Sequence, residues 1–341
     1  MRTLPKPRGP LSKALLDTLE SNDPSRVHDQ INVEKLRLGD TDIFYDEDLQ
    51  LSLFVLYELH YSGFESIDDL WEWNTKLLDL RGLLEDEFET RIRGSIPALP
   101  PVDANAQSVA EALFAMVDEA TGPSVADYVA RRATLEQARE FLIHKSIYQL
   151  KEADPHTWAI PRLGGRAKSA LVEIQNDEYG NGMPGRMHSE LFTRTMAGLD
   201  LDSEFGAYID RIPAIILASV NLMSLFGLHR RHRGAICGHL AIYEMTSSLP
   251  NAKYARGFRR LGFEPPVTDY FDEHVEADAV HEQIAGRDLA GGLIESEPQL
   301  AGNVFLGAAA ALLLDGLAGT WQVETWESGA STLLPAVGVP A

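Results

Sequence analysis

Two stretches constrain the fold most: IPAIILASVNLMSLFGL at 212–228 and VFLGAAAALLLDGLAGTW at 304–321. Both are apolar on every helical face, so each must be surrounded by other protein. At 17–18 residues, and carrying Asn, Ser, Asp or several Gly, they fall short of the roughly 20 predominantly apolar residues that span a bilayer. They are expected as buried helices of a bundle. Amphipathic helical spacing surrounds them at 10–21, 46–60, 68–92, 106–119, 123–131, 134–152, 163–178, 185–199, 230–247, 250–261 and 266–286. Strand-like alternation is scarce, and INVEKLRL at 31–38 is one weak candidate. The expectation is an all-α protein. A Pro-rich break, SIPALPPVD, predicts an N-terminal helical arm over 1–95 and a helical core over 96–320. The Gly-, Ser- and Pro-containing tail 321–341 is expected as a loop or partly disordered, and DPHTWAIPRLGG at 154–165 as a loop.

The charge narrows the partners. A net charge of −21 over 341 residues opposes binding to nucleic acid or anionic membranes, which requires basic patches. Cys237 is the one cysteine, so an internal disulfide is impossible and a thiolate metal site is not expected. The lone thiol and the lack of an apolar run after MRTLPKPRGP lead to a cytoplasmic expectation. A small-molecule substrate and a homodimer are the partners expected.

The chemistry concentrates in DEHVEADAVHEQ at 272–283. At about 100° per residue, His274, Asp278 and His281 fall within about one-sixth of a helix circumference. Val267, Phe271 and Ala285 extend that stripe, whereas Asp272, Glu276 and Gln283 lie opposite. The three ligand-type side chains therefore face the core, where unpaired they would cost several kcal/mol. A divalent metal would satisfy them. Further donors are Glu178 and His188, ten residues apart across a Gly- and Pro-rich segment that should kink the helix, and Glu244, an acid in the apolar run AIYEM. His239 lies on a different face and is the weaker candidate. ExxH pairs, HExxH, GxSxG and the P-loop are all absent from the sequence.

HxxxDxxH in the last core helix, the Glu178/His188 pair and the intervening Glu244 resemble the haem-oxygenase-like diiron oxidases, a family of iron-containing redox enzymes. The phrases YQLKEADPHTWAIPRL, DEYG and MHSELF are similar to those of its bacterial members. The likeness spans about 134–318. It implies a bundle of about seven core helices like that of haem oxygenase, but without haem. It also implies two irons (Fe2+/Fe3+) held by three His and three carboxylates, with O2 as co-substrate. Members N-oxygenate amines, cleave C–C bonds of fatty or amino acids, or process an aromatic ring precursor. Some carry an extra Glu three residues before the first His, where this chain has Gly185.

On this reading the metal ligands and catalytic residues are Glu178, His188, Glu244, His274, Asp278 and His281, with Glu244 as the bridging carboxylate. Manganese suits the same N/O donors. Tyr148, Glu152, Tyr179 and Tyr243 are candidates for orienting the ligands. Arg162, Lys168 and Arg186 are candidates for a substrate carboxylate, with solvated surface cations as the alternative. The competing expectation is a metal-free helical enzyme or binding module of the same shape, its histidines structural.

Overall fold

A computed structural model describes residues 3–21 and 42–335, with the backbone alone at 278 and 279. The strand candidate at 31–38 lies outside the described residues, which contain helices and no strand. The chain divides into two compact units, 1–95 with 204–221 and 333–341, and 96–203 with 222–332.

The first unit is built on α1 (Pro10–Ser21), α2 (Glu47–Glu58) and α3 (Thr75–Ser95). Pro10 opens α1, where its missing N–H costs nothing. Asp48 of α2 then accepts from the Leu11 and Ser12 N–H groups at 2.7 and 2.6 Å. One carboxylate thus caps a neighbouring helix and fixes its approach. Asp46 caps α2 in the ordinary way, accepting from the N–H groups of Asp48 and Leu49.

The second unit contains α4 (Ala106–Glu119), α5 (Val125–Arg131), α6 (Leu135–Gln149), α7 (Gly165–Glu178) and α8 (His188–Ala197). After α9 (Ala214–Leu228), which the unit boundary divides, follow α10 (Arg233–Met245), α11 (Ser248–Arg260), α12 (Asp269–Gln283) and α13 (Ala301–Glu327). The two all-apolar stretches are α9 and α13, and both are largely buried, as expected. Among the described helices, the segment Pro298–Glu327 is long and apolar enough to cross a membrane. Here it packs against α10.

That packing is unusually close. A Cβ on Gly238 of α10 would overlap the Val304 carbonyl oxygen, and a Cβ on Gly307 would overlap that of Ala235. Asn303 of α13 reaches across to accept from the Gly234 and Ala235 N–H groups at 2.9 and 3.0 Å. It thereby satisfies donors that the first turn of α10 leaves open.

Two expectations are corrected here. The segment at 154–165 is not a plain loop but holds a helical turn at Asp154–Thr157 and a 3-10 turn at Ile160–Arg162. The tail is not a loop from 321, because α13 runs on to Glu327. Beyond it, Glu140 of α6 accepts from Trp326 Nε1 at 2.8 Å and from the Thr332 N–H at 3.0 Å, which pins the chain end of this unit.

Candidate metal centre

Five segments of the second unit converge on one buried cluster of acids and imidazoles. Glu152 lies just beyond α6, Glu178 ends α7, His188 begins α8, Glu244 lies near the end of α10, and His274 and His281 are on α12. The break between α7 and α8 brings Glu178 and His188 together. A left-handed residue is needed there: Gly180 has φ +66, and a Cβ on it would strike the Arg186–Met187 peptide. The sequence reading expects a helix from 185; α8 instead begins at His188, after a loop in which Gly185 also has positive φ.

Ligand-type atoms of Glu152, Glu178, His188 and His274 all lie within 4.8 Å of one another, and so do those of Glu178, Glu244 and His281. Glu178 is common to both groups. Glu244, the bridging carboxylate of the sequence reading, belongs to one group only. Of the six residues singled out in the sequence, the structure brings five together. Asp278 lies within α12, with its side chain outside the described residues. Glu152 is the residue that sequence reasoning placed at the wrong level, as an orienting group. Glu152 is the last residue of the helical pattern read over 134–152, and that end position next to a segment read as a loop hid its inward direction.

The donors are oriented by named partners. His274 Nδ1 lies 2.7 Å from the Tyr270 carbonyl, which can only accept, so Nδ1 carries a proton and Nε2 is the atom turned to the cluster. Nε2 faces Glu152 Oε1 at 3.6 Å. The Tyr270 hydroxyl donates to both Glu152 oxygens, at 2.9 and 3.0 Å. His281 lies between two carboxylates, with Nδ1 3.5 Å from Glu244 and Nε2 3.2 Å from Asp177. A histidine that ligates a metal commonly gives its other N–H to a carboxylate, and Asp177 stands in that position. Tyr270→Phe should weaken Fe(II) binding about tenfold without loss of helix content. Chelator competition together with circular dichroism would check this, and unchanged affinity would contradict the orienting role.

The donor set is under-satisfied within the chain. Glu178 Oε2 and His188 Nδ1 pair with each other at 2.9 Å, 8% and 2% exposed by side chain, and neither atom has a further hydrogen-bond partner among the described residues. Burial pushes the Glu244 carboxyl above its ordinary pKa, and the nearby Glu178 charge adds to this. Burial also opposes ionisation of Glu152, but His274 outweighs it and holds that carboxyl below its ordinary value. For His188 burial favours the neutral ring, and Glu178 more than reverses this, so its pKa is raised. Aggregated carboxylates and imidazoles at this depth are the surroundings that a divalent cation stabilises.

The remaining candidates have other roles. Arg162 caps α9, donating to the Gly227 and Leu228 carbonyls, and Arg186 faces Glu273 at 3.6 Å. Tyr179 donates to Asp154 at 2.8 Å, and Tyr243 donates to Asp315 at 3.4 Å. His239 joins a fully buried imidazole pair, its Nδ1 3.2 Å from His156 Nε2. Burial lowers the pKa of His156 to about 3, so the pair stays neutral. It ties α10, which carries Glu244, to the turn that follows Glu152.

Residues 139–316, more than half of the 341, match the family described as iron-containing redox enzyme. The chain belongs to that family, and its all-α, haem-oxygenase-like fold and His/Glu cluster accord with it. It is also similar to a nitrosourea synthase of Streptomyces achromogenes subsp. streptozoticus, with 27% identity over 218 residues. The aligned part is 63% of this chain and 44% of that protein, so the chain spans less than half the length of this curated relative.

Proposed function

We propose that this chain is a non-haem diiron oxygenase or oxidase that uses O2 to oxidise a small organic substrate, by amine N-oxygenation or oxidative C–C cleavage. The observation that carries the reading is the pair of donor groups meeting at Glu178. Two such groups sharing a carboxylate are what a dinuclear centre requires, and the mixed imidazole–carboxylate set suits iron. Glu152, His188 and His274 would complete one position, and Glu244 and His281 the other. Asp278, between the two histidines on α12, is proposed as a further ligand from its place in the helix.

Bound iron would supply activation of O2. The protein's own part is orientation and charge. Tyr270 fixes Glu152 and the tautomer of His274, and Asp177 takes the outward nitrogen of His281. The walls of α7, α10 and α12 keep the donors out of bulk water. The similar nitrosourea synthase is named for a nitroso product, which favours the nitrogen-oxidising branch.

The test is anaerobic titration with Fe(II), followed by O2 consumption. Two equivalents per chain and iron-dependent O2 uptake are expected, and one equivalent or none would overturn the reading. The pH profile has a definite sign. Metal binding needs neutral imidazole, and His188 holds its proton above the ordinary pKa of 6.5. Affinity should therefore rise between pH 6 and pH 8. Chelator competition measures it, and a flat profile would contradict the assignment of His188.

A further inference from the structure

A cavity of about 310 Å³ opens beside His281, at the lower end of the range of about 300–1,000 Å³ for small-molecule sites. Its two walls differ in chemistry. One is the face of α7 and the turn after it, with Glu173, Asp177 and Asn181. Glu173 and Asp177 are one helical turn apart and so share that face. The other wall is Ala277, Val280 and Ile284, with His281 at its edge. None of the described lining residues is basic.

The acidic wall is set up with unequal freedom. Asp177 accepts from Asn181 Nδ2 at 2.7 Å on one oxygen and faces His281 Nε2 at 3.2 Å with the other. Glu173 is exposed and has no charged or hydrogen-bonded partner among the described residues. Two carboxylates against one imidazole leave the wall negative whichever charge the ring carries. A cation on an aliphatic stem fits both walls at once, with the head on the carboxylates and the stem along Val280 and Ile284. A carboxylate head would meet like charge with no cation to offset it. Of the three sequence candidates for such a group, Arg162 and Arg186 are engaged elsewhere and Lys168 does not line the cavity.

We propose that this cavity is the substrate entrance and that it selects an alkyl amine or alkyl guanidine without a carboxylate group, with Glu173 and Asp177 as the specificity-determining residues. The inference rests on the diiron reading for what happens to the substrate, and on the cavity alone for what binds. An occupant seated this way has its cationic nitrogen next to His281, on the side of the Glu178/Glu244/His281 group.

The experiment uses the full chain, with and without Fe(II), and four probes: hexylamine, butylguanidine, hexanoate and norleucine. Binding is followed by ligand-observed NMR and calorimetry. The two cations should bind at least tenfold more tightly than hexanoate or norleucine in both forms of the protein. Glu173→Gln should cost the cations about tenfold, which is about 1.4 kcal/mol, and leave Fe(II) stoichiometry unchanged. Glu173→Lys should move the preference to hexanoate. Equal or tighter binding of hexanoate to the unaltered protein would overturn the proposal, as would cation affinity indifferent to both substitutions. Cation binding without iron binding would instead sink the diiron reading and leave the cavity assignment standing.

Discussion

Glu178→Ala is expected to abolish binding at both metal positions together, whereas Glu152→Ala or His281→Ala should weaken one. Glu178 is the residue common to the two donor groups, so removing it deletes a ligand from each. Iron bound per chain should fall from two to below one, with affinity lowered at least a hundredfold, beyond the roughly 10–100-fold attached to orienting groups. The stability readout separates this from simple unfolding. In the metal-free protein Glu178 Oε2 has no hydrogen-bond partner beyond His188 among the described residues, and the Glu178 charge raises the pKa of Glu244. Its removal relieves that repulsion but also deletes the ion pair with His188, so the two effects oppose and the apo form should melt close to the unaltered temperature. What disappears is the stabilisation gained on adding Fe(II), which grows with the ratio of free metal to Kd. Differential scanning calorimetry with and without Fe(II) checks both halves. A variant that still binds one iron at full affinity would refute the shared role.

The same comparison explains why these buried acids persist. Without a cation, Glu152, Glu178 and Glu244 bring negative charge together in a buried space beside Tyr148 and Tyr270. The geometry that is unfavourable for the empty protein is what gives a cation its affinity. The orienting bonds from Tyr270 and the His156–His239 tie hold the donors against that repulsion.

Much of this was legible in the sequence because helical period carries direction. The spacing of His274 and His281 predicts an inward stripe shared with Val267, Phe271 and Ala285. All five are buried, while Glu276 on the opposite side is exposed. The kink between Glu178 and His188 was readable from its glycines. Glu152 was not, because it follows the end of α6, where no periodicity fixes which way a side chain points. The role of Tyr270 was not legible either, since a hydroxyl aimed at a carboxylate leaves no mark on spacing. The sharing of Glu178 depends on how α7, α10 and α12 meet in space, and chain order cannot supply that. The glycines of α10 and α13 were visible as letters, but their partner helix was not.

Those glycines carry the second large effect. Gly238→Ala should destabilise the protein even though alanine is the better helix former by about 1 kcal/mol. The added methyl group meets the Val304 carbonyl and the Ala308 N–H, which are backbone atoms and cannot swing aside as a side chain would. The helices must separate instead, at a cost of about 1–3 kcal/mol or more. At about 2–4 °C per kcal/mol for a unit of this size, the melting temperature should drop by several degrees. Gly307→Ala meets the Ala235 carbonyl across the same contact and should behave alike. The double variant is the sharper measurement. Once one methyl group has forced α10 and α13 apart, the second finds part of the space already open, so the losses should sum to less than the two single values. The same separation moves Glu244, six residues along α10, away from His281, and Fe(II) affinity at that position should fall with the melting temperature. A Gly238→Ala protein that melts like the unaltered chain would show that the helices do not need this approach, and strictly additive losses would show that the two glycines serve separate contacts.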